Sequence, residues 1–301
     1  MEGRRIDFVE QVADFGDTHL DDPRSGRKGF PSGTNGMVAH MCHDNAVVLT
    51  AEIDARLRIL LPPEYHDSYG ALAATPMGSA GLQYDAEGRV AWDRIWQRFC
   101  DLAMAGGPPH KGRLLGPGRA SDIAAQPGAY LDLQDEALRG LTMASELPSE
   151  ESPHLGWVRV VCHSEVMAGW MLRAITMENV AVRRDGRALD LPLAPHFRID
   201  KELKNIITVT AKTTHYWMGH IPREQKIAIG ELFAVMDAER PLVEPDWPDD
   251  GSPCWRALPC ASVEDALRLM RTLLTQNVLA RREGTDVLVP TDATIQAARG
   301  R

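Results

Sequence analysis

The sequence predicts an α+β protein: a mostly helical N-terminal region, then a domain made of two tandem βαββ units. Three observations predict it. Residues 157–192 lie without a gap on residues 255–290 after a shift of 98 positions, and 11 of the 36 positions are identical. The identities are Trp157/Trp255, Cys162/Cys260, Ser164/Ser262, Ala168/Ala266, Arg173/Arg271, Asn179/Asn277, Val180/Val278, Arg183/Arg281, Arg184/Arg282, Gly186/Gly284 and Pro192/Pro290. Ahead of the repeat, apolar residues recur at spacings of three and four, as in Trp92, Ile95, Trp96, Phe99, Leu102 and Ala103, which is the period of a helix face. Two proline-containing stretches, 147–153 and 241–253, punctuate the chain where units would join.

In chain order, residues 1–36 form a polar arm, with a short helix over 5–15 and a turn-rich run over 16–36. Residues 37–150 form the mostly helical region. A helix over 37–61 stops at Pro62-Pro63, 62–90 is loop with a turn at 84–88, and a helix over 91–105 ends in Gly106-Gly107-Pro108-Pro109. Ser121 caps a short helical turn, 134–144 is helical, and 147–153 links to the duplicated domain, 154–295. In copy one, 157–162 is a strand, Ser164 caps a helix, Asn179 ends it, and two strands pair across an Asp185-Gly186 turn. Helices over 199–217 and 222–238 separate the copies. In copy two Ser262 and Asp265 have capping-box spacing, and Glu283-Gly284 makes the turn.

One unit of 36 residues cannot bury both its helix stripe and its sheet face. Two can, either as a pseudo-twofold domain resembling a ferredoxin-like sandwich in its layers, or as consecutive subdomains with separate sheets. A junction between halves would form a cleft.

Net charge of −9 argues against nucleic acid or anionic membrane as a general partner. No apolar run approaches the roughly 20 residues of a spanning helix, and the start of the chain lacks a signal-peptide core. Five cysteines, an odd number without CxxC, fit free thiols in a reducing compartment. These readings point to the cytoplasm.

Five features could carry chemistry. His40, Cys42, His43 and Asp44 crowd four ligand types into five residues; on a helix His40, His43 and Asp44 share a face and could hold a divalent metal, against a plain polar helix start. The loop 106–113, with His110, Lys111 and Arg113, suits an anion, although it follows a helix C-terminus and equally suits a rigid turn. Lys201, Lys204, Asn205, Thr208, Lys212 and His215 fall along one helical stripe, which reads as an anion-binding face or a solvated one. His215, Tyr216 and His220 add acid/base groups. Arg183 and Arg281, one from each copy, could meet at one anion site or simply charge the hairpin ends. Cys162 and Cys260 sit before helix caps, where a thiol is activated, but read better as small buried hydrophobes. No GxSxG, HExxH or GxGxxG is present.

The leading expectation is an enzyme acting on a small anionic metabolite or cofactor precursor. Lys204, Lys212, Lys111, Arg183 and Arg281 would hold the anion, and His215 and His110 would move the proton. The alternatives are a non-catalytic accessory or assembly protein, pairing with a protein partner or a second copy through the tandem units, and a metal enzyme built on the His40 cluster.

Overall fold

The computed structural model describes residues 51–67, 81–94, 100–248 and 254–291. The arm, the 5–15 helix and the His40, Cys42, His43 and Asp44 cluster lie outside them. Residues 51–60 are helical (α1) and stop at the two prolines, with Pro63 opening a single 3-10 turn, Pro63–Tyr65. The expected helix over 91–105 is not continuous. Trp92–Arg94 and Ala103–Ala105 are separate 3-10 turns, and residues 100–102 are non-helical. The physical reason lies in the partner of the second turn: its first amide, Ala103 N, donates to the Glu178 carboxylate, at 2.9 Å, instead of to a preceding carbonyl.

Helix α2, Ala120–Ala125, starts one residue before Ser121, which therefore sits inside the first turn and caps nothing. Helix α3 runs Pro127–Ser145. The stretch 147–153 is not a free linker: Ser149–Glu151 forms strand β1 and pairs antiparallel with β2, Trp157–Val161. Helix α4 (Glu165–Met177), β3 (Arg183–Asp185) and β4 (Ala188–Pro192) complete the first unit, whose sheet has the order β1-β2-β4-β3. Helix α5, Lys204–His215, is flanked without a break by π-helical turns at Ile199–Leu203 and Tyr216–His220. Helix α6 is Arg223–Glu239, with Pro222 at its N-cap. The second unit is β5 (Trp255–Pro259), α7 (Val263–Thr275), β6 (Arg281–Glu283) and β7 (Asp286–Pro290), with a sheet ordered β5-β7-β6. The protein is thus a mixture of helices and antiparallel sheets, and no helix among the described residues is long and apolar enough to cross a membrane.

The two units match element for element at the 98-residue offset, including register: Trp157 faces Pro192 and Trp255 faces Pro290. Ser164 Oγ accepts from Met167 N and Ser262 Oγ from Asp265 N, each at 3.1 Å. Asn179 and Asn277 both take positive φ, 61° and 63°, directly after the helix, the left-handed C-terminal conformation that Asn tolerates best after Gly. The hairpin turns lie one residue later than the spacing suggests. Asp185 pairs with Ala188 and Glu283 with Asp286, so the two turn residues are Gly186-Arg187 and Gly284-Thr285. Glycine leads each turn because its φ is positive there, 56° and 63°.

The units differ in depth. Every residue of α4 from Met167 to Met177 is buried, whereas α7 buries only one face. Helix α4 packs against α5, α6, the 3-10 turn Ala103–Ala105 and strands β3, β4 and β6. Trp170, fully buried, donates its indole N–H to Leu60 O at 2.8 Å and lies against Trp217. The units do not share a sheet, but they hold each other by side chains: Arg173 donates to Asn277 Oδ1 at 2.5 Å, and Arg281 to Asn179 Oδ1 at 3.3 Å.

Candidate functional site

The polar chemistry of the molecule gathers along α5 and its two π-helical turns. At its centre Lys212 and Glu178 form an ion pair, Nζ to Oε1, 2.7 Å, with both side chains fully buried. Lys212 therefore does not belong to a solvated stripe. Its face of α5 turns inward because a carboxylate waits there. Glu178 follows the last residue of α4, and its two oxygens are both used. Oε1 accepts from Ala103 N as well as Lys212, and Oε2 accepts from His110 N at 2.9 Å. Burial works to lower the Lys212 pKa, but Glu178 and then Cys100 hold it above the ordinary lysine value.

His110 stands one step outward, half-buried. Its Nε2 lies 2.9 Å from Asn205 Oδ1. An amide oxygen only accepts, so Nε2 carries the proton and the neutral ring keeps its lone pair on Nδ1. Burial, and then the Lys212 charge, push the His110 pKa below the usual imidazole value. Lys111 follows it and feels both Glu202 and Lys201. Its pKa is lowered, first by burial and last by the Lys201 charge. Lys204 is half-buried beside Asn205. The structure thus places His110 against the start of α5 through Asn205, with Lys111 next to it in the chain and Lys212 buried behind.

The glycines of that loop have conformational work. Gly106 has φ 105°, and a Cβ on Gly107 would lie 2.6 Å from Asp101 O. Gly107 N donates to Leu102 O at 3.0 Å, so the loop folds back on itself. The double glycine is what lets the chain present His110 to Glu178.

His215 lies at the far end of α5, three turns from Lys204, and does not join His110. It pairs instead with His220, Nε2 to Nε2, 3.0 Å. The π-helical turn explains the pair, since closing the helix at i+5 puts positions five apart on one face. Glu64 accepts from His220 Nδ1 at 2.7 Å, which fixes that ring's tautomer. Burial, followed by His220, lowers the His215 pKa. Between this cluster and Lys212 lie Tyr216 and Tyr65, hydroxyls 2.7 Å apart, with Tyr65 donating to Asp101 Oδ1 at 3.1 Å. Burial raises both phenol pKa values.

Arg183 and Arg281 occupy matching places: Arg183 lies over Trp157 at 5.6 Å and Arg281 over Trp255 at 5.0 Å. Trp247 packs edge-on against both tryptophans, at 5.6 and 6.2 Å. The two arginines flank this aromatic group, and Arg281 is buried and bonded to Glu283 at 2.5 Å. Burial pushes the Cys162 thiol up to about 12 and also raises Cys260, so neither is activated by its helix N-terminus. Among the described residues, no group of three or more His, Cys, Asp or Glu side chains is placed to hold a metal ion.

Glu178 is the residue that sequence reasoning missed. The repeat itself carried the signal: at the matching position copy two has Gln276, whose Oε1 is buried with no hydrogen-bond partner among the described residues. The charged residue stands in the unit whose helix is buried all round, and the neutral one in the unit whose helix buries one face.

Comparison with known proteins brings no likeness to bear: no protein-family model, no curated protein and no solved structure matches the chain.

Proposed function

We propose that the protein binds a small anionic metabolite or cofactor precursor at the rim formed by His110, Lys111, Lys204 and Asn205, and that His110 acts on it as a general base. One observation carries this reading: His110 is held at both ends, its backbone by Glu178 and its ring by Asn205, while remaining half-buried. A ring so placed, neutral near pH 7 and with Nδ1 unprotonated, has the form a general base needs. The lysines beside it supply the charge that would hold a carboxylate or phosphate. The buried Lys212–Glu178 pair is the support behind the ring rather than a ligand group. His215, with His220, forms a separate acid/base pair whose role in the same reaction remains a proposal. An odd number of cysteines without a CxxC motif fits action in the cytoplasm.

The same reading takes the two βαββ units as copies of one ancestor, with layers akin to a ferredoxin-like sandwich. Shared offset, register, caps and positive-φ Asn residues support it.

Titration of the protein with a panel of phosphate- and carboxylate-bearing metabolites, followed by calorimetry and by ligand-induced thermal shift, tests the proposal. Binding that is lost in Lys204→Ala and His110→Gln without a change in the melting temperature of the free protein supports it. Binding unaffected by both variants would sink it.

A second reading, a non-catalytic accessory protein, has its own observation. In unit one the outer edge of β2 is covered by β1, but the matching edge of β5 has no strand beside it among the described residues. The segment that would cover it contains Pro248, which cannot donate to a ladder. An open edge accepts a partner strand. Co-purification of a stable partner, with no thermal shift across the panel, would favour it.

A further inference from the structure

We propose that Cys100 and Lys212 form an oxidisable pair: hydrogen peroxide converts the Cys100 thiol to a sulfenic acid, which condenses with the Lys212 amine to a sulfenamide S–N bond. The geometry already contains the reactants. Lys212 Nζ donates to Cys100 Sγ at 3.4 Å, and both residues are buried. Among the described thiols this environment is distinctive. Cys162 faces Met171 Sδ, Cys260 faces Leu258 O and Cys254 lies within the field of the Arg281 guanidinium, whereas Cys100 accepts a hydrogen bond from an amine that can become nucleophilic. Sulfenic acids condense with nearby nitrogen or thiol nucleophiles when these are held close.

The step balances. Peroxide delivers one oxygen to the thiol, giving the sulfenic acid and one water. The ammonium of Lys212 then gives a proton to Glu178, whose Oε1 is 2.7 Å away. The freed nitrogen lone pair attacks sulfur, the S–O bond breaks, and hydroxide leaves with the second nitrogen proton as water. Sulfur is oxidised, peroxide is reduced, and Glu178 ends protonated. Closing the remaining distance requires no helix to move, because Cys100 lies in non-helical chain and Nζ ends a flexible four-carbon stem. The product would tie the 100–105 segment to α5 and remove the buried lysine charge. This inference does not depend on the reading of His110.

The test is peptide mapping of the full chain after treatment with hydrogen peroxide, alkylation of remaining thiols, and digestion without reductant. The expected result is a cross-linked peptide pair joining Cys100 to Lys212, lighter than the two peptides together by two hydrogens. Dithiothreitol should reverse it, and Cys100→Ser and Lys212→Arg should lack it. Mapping of the wild-type chain and of Cys100→Ser, which changes one atom, decides the matter even where Lys212→Arg fails to fold. Cys100 recovered as a sulfinic or sulfonic acid, in a disulfide, or as an unmodified thiol, with Lys212 unlinked, would overturn the proposal. A bridge that retains the oxygen between sulfur and nitrogen would overturn the direct bond.

Discussion

Lys212 Nζ stands 2.7 Å from Glu178 Oε1, and neither side chain is exposed to solvent. Removing one member of such a pair leaves the other as an uncompensated buried charge, at a cost of about 3–5 kcal/mol. Lys212→Met and Glu178→Gln should each lower stability by that order in urea unfolding. The double variant should lose less than the sum, because no lone charge remains. Glu178→Gln should cost further through the amides of Ala103 and His110, which lose a charged acceptor. Additive losses in the double-mutant cycle would contradict the pairing.

The imidazoles give a pH dependence with a definite sign. His110 and His215 both have folded pKa values below the ordinary 6.5. The unfolded chain therefore binds more protons than the folded one as pH falls below 6.5, so their contribution to stability is complete above that value and is lost as pH drops through the folded values. Melting temperatures measured from pH 7.5 to 5 should fall, and the fall should be shallower in His110→Gln. An unchanged slope in the variant would show that His110 is not held neutral by its surroundings.

Asn179 combines backbone and side-chain demands. It takes φ 61°, and its amide donates to Lys111 O at 2.7 Å and to Arg282 O at 2.8 Å. Asn179→Gly should lose the side-chain bonds but keep the backbone. Asn179→Ala should lose both and be less stable than the glycine variant by about 1 kcal/mol. Asn277, at φ 63° and bonded to Asp237 and Arg240, should show the same order of variants. Equal stability of the alanine and glycine variants at either site would argue against left-handed strain there.

Gly140 on α3 faces Ile207 of α5 with no room for a side chain. A Cβ there would come within 2.4 Å of Ile207 Cδ1 and 3.0 Å of the Trp92 ring, all three residues being buried. Gly140→Ala should destabilise by about 1–3 kcal/mol through overpacking, despite alanine's better helix propensity. A compensating Ile207→Val should recover part of the loss in thermal unfolding.

Much of the second half was legible before any coordinates. The offset of 98, the caps at Ser164 and Ser262 and the paired Asn and Gly positions are local signals, and each appears where its chemistry demands. Turn placement shifted by one residue because pairing register, not the dipeptide alone, decides which two residues bridge the strands. The helix expected over 91–105 does not run through residues 100–102, for a different reason. Its apolar spacing is helical, but Ala103 N is claimed by a carboxylate 75 positions away in sequence.

The site divides along the same line. Residue types at the start of α5 and in the Gly-Pro loop announced a basic region, and His110 meets Asn205 at the start of that helix. Nothing local distinguished Lys212 from Lys204, since both occupy the same helical stripe; only the arrival of Glu178 from α4 turned one inward. Nor could helical periodicity pair His215 with His220, which an α-helix would set apart and a π-helical turn brings to 3.0 Å. The sequence by itself determined the offset between the two units, their caps and the pairing of each hairpin, because those depend on neighbours a few residues away. The tertiary structure alone decided which copy lies deep, which lysine is buried and which histidines meet, because burial and charge pairing depend on groups brought together from distant parts of the chain.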